Sequence, residues 1–363
     1  LTLAQAPRAA STHSPLAPEI MRISSLDCAR VIAIAAVMAL HLAPFASPFN
    51  PVPWAAAPYA WVADFINQGS RFAVPFFFLC AGYFAQPKMS AGAMAPVLRY
   101  CRPILLLWLL WSLIYAFLPM DWRAVAGLGY IQGMRGQWEM LLAKPLELLL
   151  VGGMLHLWFL PALMLAVLLI AGAHRLGWSR CLPPLAVALY LVGLAGGSYA
   201  KLLDIHWDFN TRNGPFFAVP LVLLGALIRQ NGRQLADKAA VALMLGGILL
   251  YAGELWVLNH YAQTGIRGHD FLLGSIPWAL GLFWLLLNRP QWGKDSWLER
   301  QAPNVLGIYC LHMYFVAVML IGTPEIVSLA WEAAKLPLLL LLVAASVWAL
   351  SRTPGLSVLI RRS

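Results

Sequence analysis

Two ionisable side chains sit where apolar ones are expected. Arg30 and His41 fall inside the first long apolar stretch, Leu26 to Phe45, with ten residues between them. Eleven helical steps of ~100° bring both onto one face, roughly 16 Å apart along the axis. Ionisable groups in a membrane span are costly and are functional candidates by default. A guanidinium can hold phosphates in bidentate fashion. An imidazole can take or give a proton near neutral pH and can serve as an acyl-transfer base. The structural alternatives are an Arg30 that snorkels to the interface and a His41 packed against a backbone carbonyl.

Similar residues recur along the chain. Arg99-Tyr-Cys-Arg102 opens a later apolar segment. Two arginines three residues apart are helix neighbours and could clamp a diphosphate, or simply anchor the helix to a cytoplasmic interface. Arg71, in Gly-Ser-Arg-Phe-Ala-Val-Pro-Phe-Phe-Phe, and His156, in Leu-His-Leu-Trp-Phe, each stand at the start of an apolar segment. Glu254 and His312 lie within two others. Each alone is compatible with a satisfied residue inside a helix bundle. Several converging on one cavity would form a site, and spacing does not show convergence.

The elements that must position them are membrane helices. The chain is 61% hydrophobic and 11% charged, against about 25% charged in a soluble domain, and its mean hydropathy is +0.72. The apolar runs are long and continuous and do not alternate with period two, which excludes an outer-membrane barrel. The formal charge of +10 does not indicate nucleic acid, because the basic residues are scattered singly between apolar segments. The five cysteines form no CxxC or Cys/His zinc spacing and read as small buried hydrophobes.

The expected fold is therefore all-α: a polytopic membrane helix bundle of about ten transmembrane helices. The segments are about 26–46, 69–87, 100–119, 154–173, 182–200, 215–230, 239–258, 270–288, 304–323 and 335–351. Segment 52–67 reads as an interfacial helix. Placing both termini in the cytoplasm puts sixteen Lys and Arg inside and seven outside, as the positive-inside rule requires. Lys335 is counted among the outside seven. Residues 1–20 read as a disordered extension ahead of Met21, and 21–363 as one transmembrane domain. The outer connections, about 120–153 and 201–214, carry Trp122, Tyr130, Trp138, Glu139, His206, Trp207 and Asp208. Such aromatic and acidic groups either bind sugar by stacking and hydrogen bonding or form an interfacial aromatic belt.

Six motifs in series carry a resemblance. They are Arg30-x10-His41; Arg71-Phe-Ala-Val-Pro-Phe-Phe-Phe-Leu-Cys-Ala-Gly-Tyr-Phe; Arg99-x-x-Arg102; His156-Leu-Trp-Phe; Arg212-Asn-Gly-Pro-Phe-Phe; and Leu306-Gly-Ile-Tyr-Cys-Leu-His312. In order and spacing the chain resembles the acyltransferase-3 family of bacterial integral-membrane O-acyltransferases. Within it, the likeness is to members without an added hydrolase domain, such as the enterobacterial common antigen O-acetyltransferase and exopolysaccharide acetyltransferases. One departure is Ala81, where the family usually has Ser, which argues against a hydroxyl nucleophile there.

The resemblance implies a multi-pass protein of the bacterial inner membrane. Its activity would move an acetyl group from cytoplasmic acetyl-CoA to a hydroxyl of an extracytoplasmic glycan or lipid-linked oligosaccharide. It implies Arg30, Arg99 and Arg102 on the CoA donor and His41 as the catalytic residue. Arg71 or His156 would stabilise the oxyanion or position the acceptor. The thioester is already activated, so no metal is called for. A secondary transporter using buried Arg and His as a substrate or proton pathway is the competing class, against which the chain shows no clear internal repeat.

Overall fold

The computed structural model describes residues 22–45, 60–232, 234–322 and 328–360. The extension expected over residues 1–20, and the first half of segment 52–67, lie outside the described residues. Among the described residues there is no strand. The helices are α1 (Ser24–Leu42), α2 (Ala60–Gly69), α3 (Ala73–Met89), α4 (Met94–Phe117), α5 (Trp122–Leu128), α6 (Tyr130–Ala143), α7 (Pro145–Val151), α8 (Phe159–Arg175), α9 (Leu182–Ala195), α10 (Pro215–Asn231), α11 (Asp237–Tyr261), α12 (Ser275–Leu287), α13 (Trp297–Gln301), α14 (Val305–Gly322) and α15 (Leu329–Arg352).

Every apolar segment expected to span falls on one of these helices. Six helical stretches are long and apolar enough to cross a membrane: Ser24–Leu42, Met94–Phe117, Leu155–Arg175, Asp237–Tyr261, Trp297–Gly322 and Leu329–Arg352. Three shorter apolar helices accompany them: Ser179–Ala195, Pro215–Asn231 and Ser275–Leu287. The connection 120–153 is itself helical. Asp121 caps α5 by accepting from Ala124 N at 3.0 Å.

Burial separates inner helices from outer ones. The apolar windows of α1, of the α8 stretch and of the α14 stretch are each 61% buried, whereas those of α4, α11 and α15 are 28%, 28% and 22% buried. The outer helices turn leucines outward, among them Leu106, Leu109 and Leu113 of α4 and Leu245 and Leu249 of α11. That suits a lipid environment as apolar as the side chains themselves.

Close packing of the interior depends on small residues. A Cβ at Gly82 of α3 would lie 2.0 Å from Val222 O of α10, and one at Gly225 of α10 would lie 2.1 Å from Leu79 O of α3. These two glycines let the backbones of α3 and α10 touch, which is how membrane helices gain van der Waals contact without a hydrophobic driving force.

One positive-inside assignment changes. Lys335 is not a loop charge. It lies inside α15, 3% exposed, and its Nζ donates to Glu332 one turn earlier, itself 1% exposed. The pairing neutralises two charges that would otherwise end the apolar segment, so the helix begins at Leu329. Glu332 also accepts from Phe45 N at 2.6 Å, which fastens the far end of α1 to α15.

Candidate active site

The three inner helices each bring one histidine to the same place. His41 stands in the last turn of α1, whose chain reverses at Ala43 in a left-handed conformation. His156 lies in a single 3-10 turn, Leu155–Trp158, that leads into α8. His312 lies on α14. Ring centroids are 5.5 Å apart for His41 and His312, and 5.1 Å for His156 and His312. His156 and His312 are fully enclosed, whereas His41 is half-buried.

The 3-10 turn reaches the site because Gly152 and Gly153 precede it. Gly152 has φ +95°, and a Cβ at Gly153 would meet Ser112 O of α4 at 2.2 Å. Trp108 of α4 donates from Nε1 to Val151 O at 3.1 Å, pinning the same segment.

Hydrogen bonds fix which imidazole nitrogens are free. A carbonyl only accepts, so a ring nitrogen bound to one carries the proton. His312 Nδ1 donates to Tyr309 O at 2.7 Å, leaving Nε2 with its lone pair. His156 Nε2 donates to Cys310 O at 3.3 Å, leaving Nδ1 with its lone pair. Cys310 O also accepts from Tyr115 OH at 2.7 Å, and Tyr309 OH donates to His156 O. The two free nitrogens, His312 Nε2 and His156 Nδ1, are buried and have no hydrogen-bond partner. Buried polar atoms are seldom left so, and such nitrogens on adjacent rings can accept protons.

A cationic cluster adjoins the histidines. Asp270 Oδ1 receives Arg212 at 2.9 Å and Arg71 at 3.8 Å. Arg71 also donates to Arg267 O at 2.8 Å, and Arg267 pairs with Asp64 of α2 at 2.6 Å. The Arg212 guanidinium lies 5.7 Å from the centre of the Trp158 ring, two residues after His156. Both Arg71 and Arg212 are within electrostatic range of His41. Their Nε atoms are buried and unpartnered. One carboxylate between two guanidinium groups leaves net positive charge beside the imidazoles, suited to developing negative charge.

The expected site residues divide into two groups. His41, His156 and Arg71 belong to this cluster. Arg30 does not. It lies half-buried towards the other end of α1, paired with Asp27 at 3.2 Å. Arg99 and Arg102 are exposed on the first part of α4. Helix α3 runs ~25 Å from beside Arg71 to Met89, and the short turn 90–93 returns the chain into α4. Arg99 and Arg102 therefore occupy the end opposite Arg71.

His312, Arg212 and Asp270 join the site without having been assigned a role from sequence. Glu254 is structural: it accepts from Leu273 N at 2.9 Å, Gly274 N at 2.7 Å and Tyr199 OH, capping the start of α12. Among the described residues, no set of three or more His, Cys, Asp or Glu side chains has the geometry to hold a metal ion.

The chain is 26% identical over 325 residues to a serine/alanine racemase of Enterococcus gallinarum, a match covering 82% of this chain and 41% of that protein. It is 25% identical over 321 residues to an amino-acid racemase of Enterococcus faecalis, covering 82% of this chain and 42% of that protein. The chain thus spans about two-fifths of the length of these relatives. No solved structure matches. The sequence profile of one family, described as an acyltransferase domain, matches residues 23–352, so from Ile23 to Arg352, across both the histidine cluster and the distal arginines, the chain belongs to the acyltransferase-3 family.

Proposed function

We propose that this membrane acyltransferase is an O-acetyltransferase. It takes acetyl from cytoplasmic acetyl-CoA and delivers it to a sugar hydroxyl of an extracytoplasmic or lipid-linked polysaccharide, such as an exopolysaccharide of the xanthan type or a surface-antigen repeat unit. The observation that carries the reading is the pair of buried, unpartnered imidazole nitrogens beside His41. In the orientation with ten spans, inner-membrane residence and both termini cytoplasmic, the histidine cluster faces outward and Arg99 and Arg102 face the cytoplasm.

Arg99 and Arg102 hold the CoA phosphates, which need cationic partners, and Arg30 steadies the donor deeper in the bundle. A cavity of about 390 Å³ bordered by Ser90, His174 and Arg180 opens near the same end of α3. The pantetheine arm covers the roughly 16 Å from Arg30 to His41. His41, the half-open member of the cluster, takes the proton of the sugar hydroxyl. The hydroxyl oxygen bonds to the acetyl carbon, the carbon–sulfur bond breaks, and the CoA thiolate recovers a proton. His156 presents an acceptor nitrogen, so it holds a hydroxyl or relays a proton. Donation to the oxyanion falls to Arg71 and Arg212.

The racemase relatives extend far beyond the matched segment, and racemisation is not proposed for this chain. Acetyl-ester content of the surface glycans in a deletion strain tests the proposal. Loss of a specific sugar ester, restored by the gene, is the expected result. An unaltered ester profile would favour the transporter reading.

A further inference from the structure

A second feature shares Asp270 with the cationic cluster. An open cavity of about 310 Å³ is lined by Gly196–Ser198, Trp207–Thr211, Gly268, Asp270 and Phe271. That volume is at the small end of ligand pockets, which run ~300–1,000 Å³, and suits one pyranose ring. Trp207 and Phe209 line it, their ring centroids 6.4 Å apart. Asp208, Asn210 and Asp270 supply polar atoms. Aromatic faces for the apolar side of a ring, with carboxylate and amide oxygens for its hydroxyls, are the complement of a sugar.

The cavity has a rigid frame and a wet mouth. Trp207 packs over Gly196, where a Cβ would fall 1.9 Å from the indole. Ser198 donates to Phe271 O at 2.7 Å, Thr211 donates to Gly193 O at 2.8 Å, and Phe271 stacks on Phe217 at 4.4 Å. Trp207, Asp208 and Asn210 remain exposed. The inner wall is Asp270, the same carboxylate that receives Arg71 and Arg212. Asp208 and Asp270 line the cavity and no Lys or Arg does, so its walls suit the hydroxyls of a neutral ring and not an anion.

We propose that this cavity is the acceptor subsite, seating one uncharged pyranose of the glycan on Trp207 with its reacting hydroxyl directed past Asp270 and Arg212 to the histidines. The proposal rests on the acyl-transfer reading above and adds the place and chemical class of the acceptor.

The test uses the full chain in a detergent without sugar groups. Saturation-transfer NMR is recorded with methyl α-mannopyranoside, methyl α-glucopyranoside and methyl β-galactopyranoside. At least one should show ring-proton saturation. Trp207→Ala should weaken its binding about five- to tenfold, Trp207→Phe should largely restore it, and Asp208→Asn should weaken it without loss of folded protein. His41→Ala should bind the sugar as the native chain does. No saturation from any of the three, or saturation indifferent to Trp207 and Asp208, overturns the subsite. Sugar binding that tracks Trp207 in a protein that never transfers labelled acetyl would keep the subsite and sink the acetyltransferase reading.

Discussion

The imidazole rings of His156 and His312 lie 5.1 Å apart, each bound to a main-chain carbonyl through one nitrogen and bare at the other. They come from positions 156 residues apart in the chain, on two of the three most buried helical stretches. The bundle thus holds two oriented imidazoles next to the half-open His41.

His312 is expected to matter for turnover and not for donor binding. His312→Gln retains a side-chain donor for the Tyr309 carbonyl but removes the free Nε2. Proton transfer through positioned side chains contributes ~10²–10⁴-fold, so losing an acceptor nitrogen beside the base His41 should lower kcat towards that range while acetyl-CoA affinity stays constant. Wild-type turnover in a folded His312→Gln protein would remove His312 from the chemistry.

Arg99 and Arg102 should act on the donor alone. Each charge-assisted hydrogen bond lost is worth ~1.5–3 kcal/mol, about 10- to 100-fold in affinity. Arg99→Ala should raise the Kd for acetyl-CoA by that amount and leave kcat at saturation alone. The penalty should shrink with 3′-dephospho-CoA if Arg99 meets the 3′-phosphate, and persist if it meets the diphosphate. Equal affinity for native and variant proteins would place the CoA phosphates elsewhere.

The α3–α10 contact makes a stability prediction. A Cβ at Gly82 would lie 2.0 Å from a backbone oxygen, so Gly82→Ala must separate two helices. A cost of ~1–3 kcal/mol is expected for such overpacking, visible as a lower thermal midpoint in detergent. Gly172→Ala, where nothing lies within 4 Å, is the comparison and should be neutral or slightly stabilising. Equal midpoints for the two variants would contradict the close approach.

His269 supplies a pH dependence outside the spans. Burial holds its protonation below the ordinary histidine range, and nearby Arg71 adds to this, against the bond to the Gly265 carbonyl. The unfolded chain therefore binds the proton first. The stabilisation from neutral His269 is complete above about pH 6.5 and is lost as pH falls from there through the lowered native value. The stability gap between the native chain and His269→Gln should narrow below about pH 6.5. A gap constant from pH 7.5 to 5 would refute it.

The helices were legible because their apolar runs are long and unbroken. The boundary at Lys335 was not legible, since only packing shows that Glu332 neutralises it. The convergence of His41, His156 and His312 was hidden for a related reason. Each motif states a residue's place on its own helix, and the meeting point depends on which helices are inner. His312 was visible as an ionisable group in a span. Asp270 carried no signal until the fold placed it between Arg71 and Arg212. The helical character of 120–153 was masked by its mixed composition, although Asp121 stands as a recognisable cap.

The most direct measurement is single-turnover transfer from [14C]acetyl-CoA by the purified full chain to its glycan acceptor, for the native protein and His41→Ala. The native protein should leave base-labile label on the sugar, and His41→Ala should leave none even though that variant still binds acetyl-CoA. Native-rate transfer by His41→Ala, or no transfer by the native protein to any glycan whose esters depend on it in the cell, would contradict this.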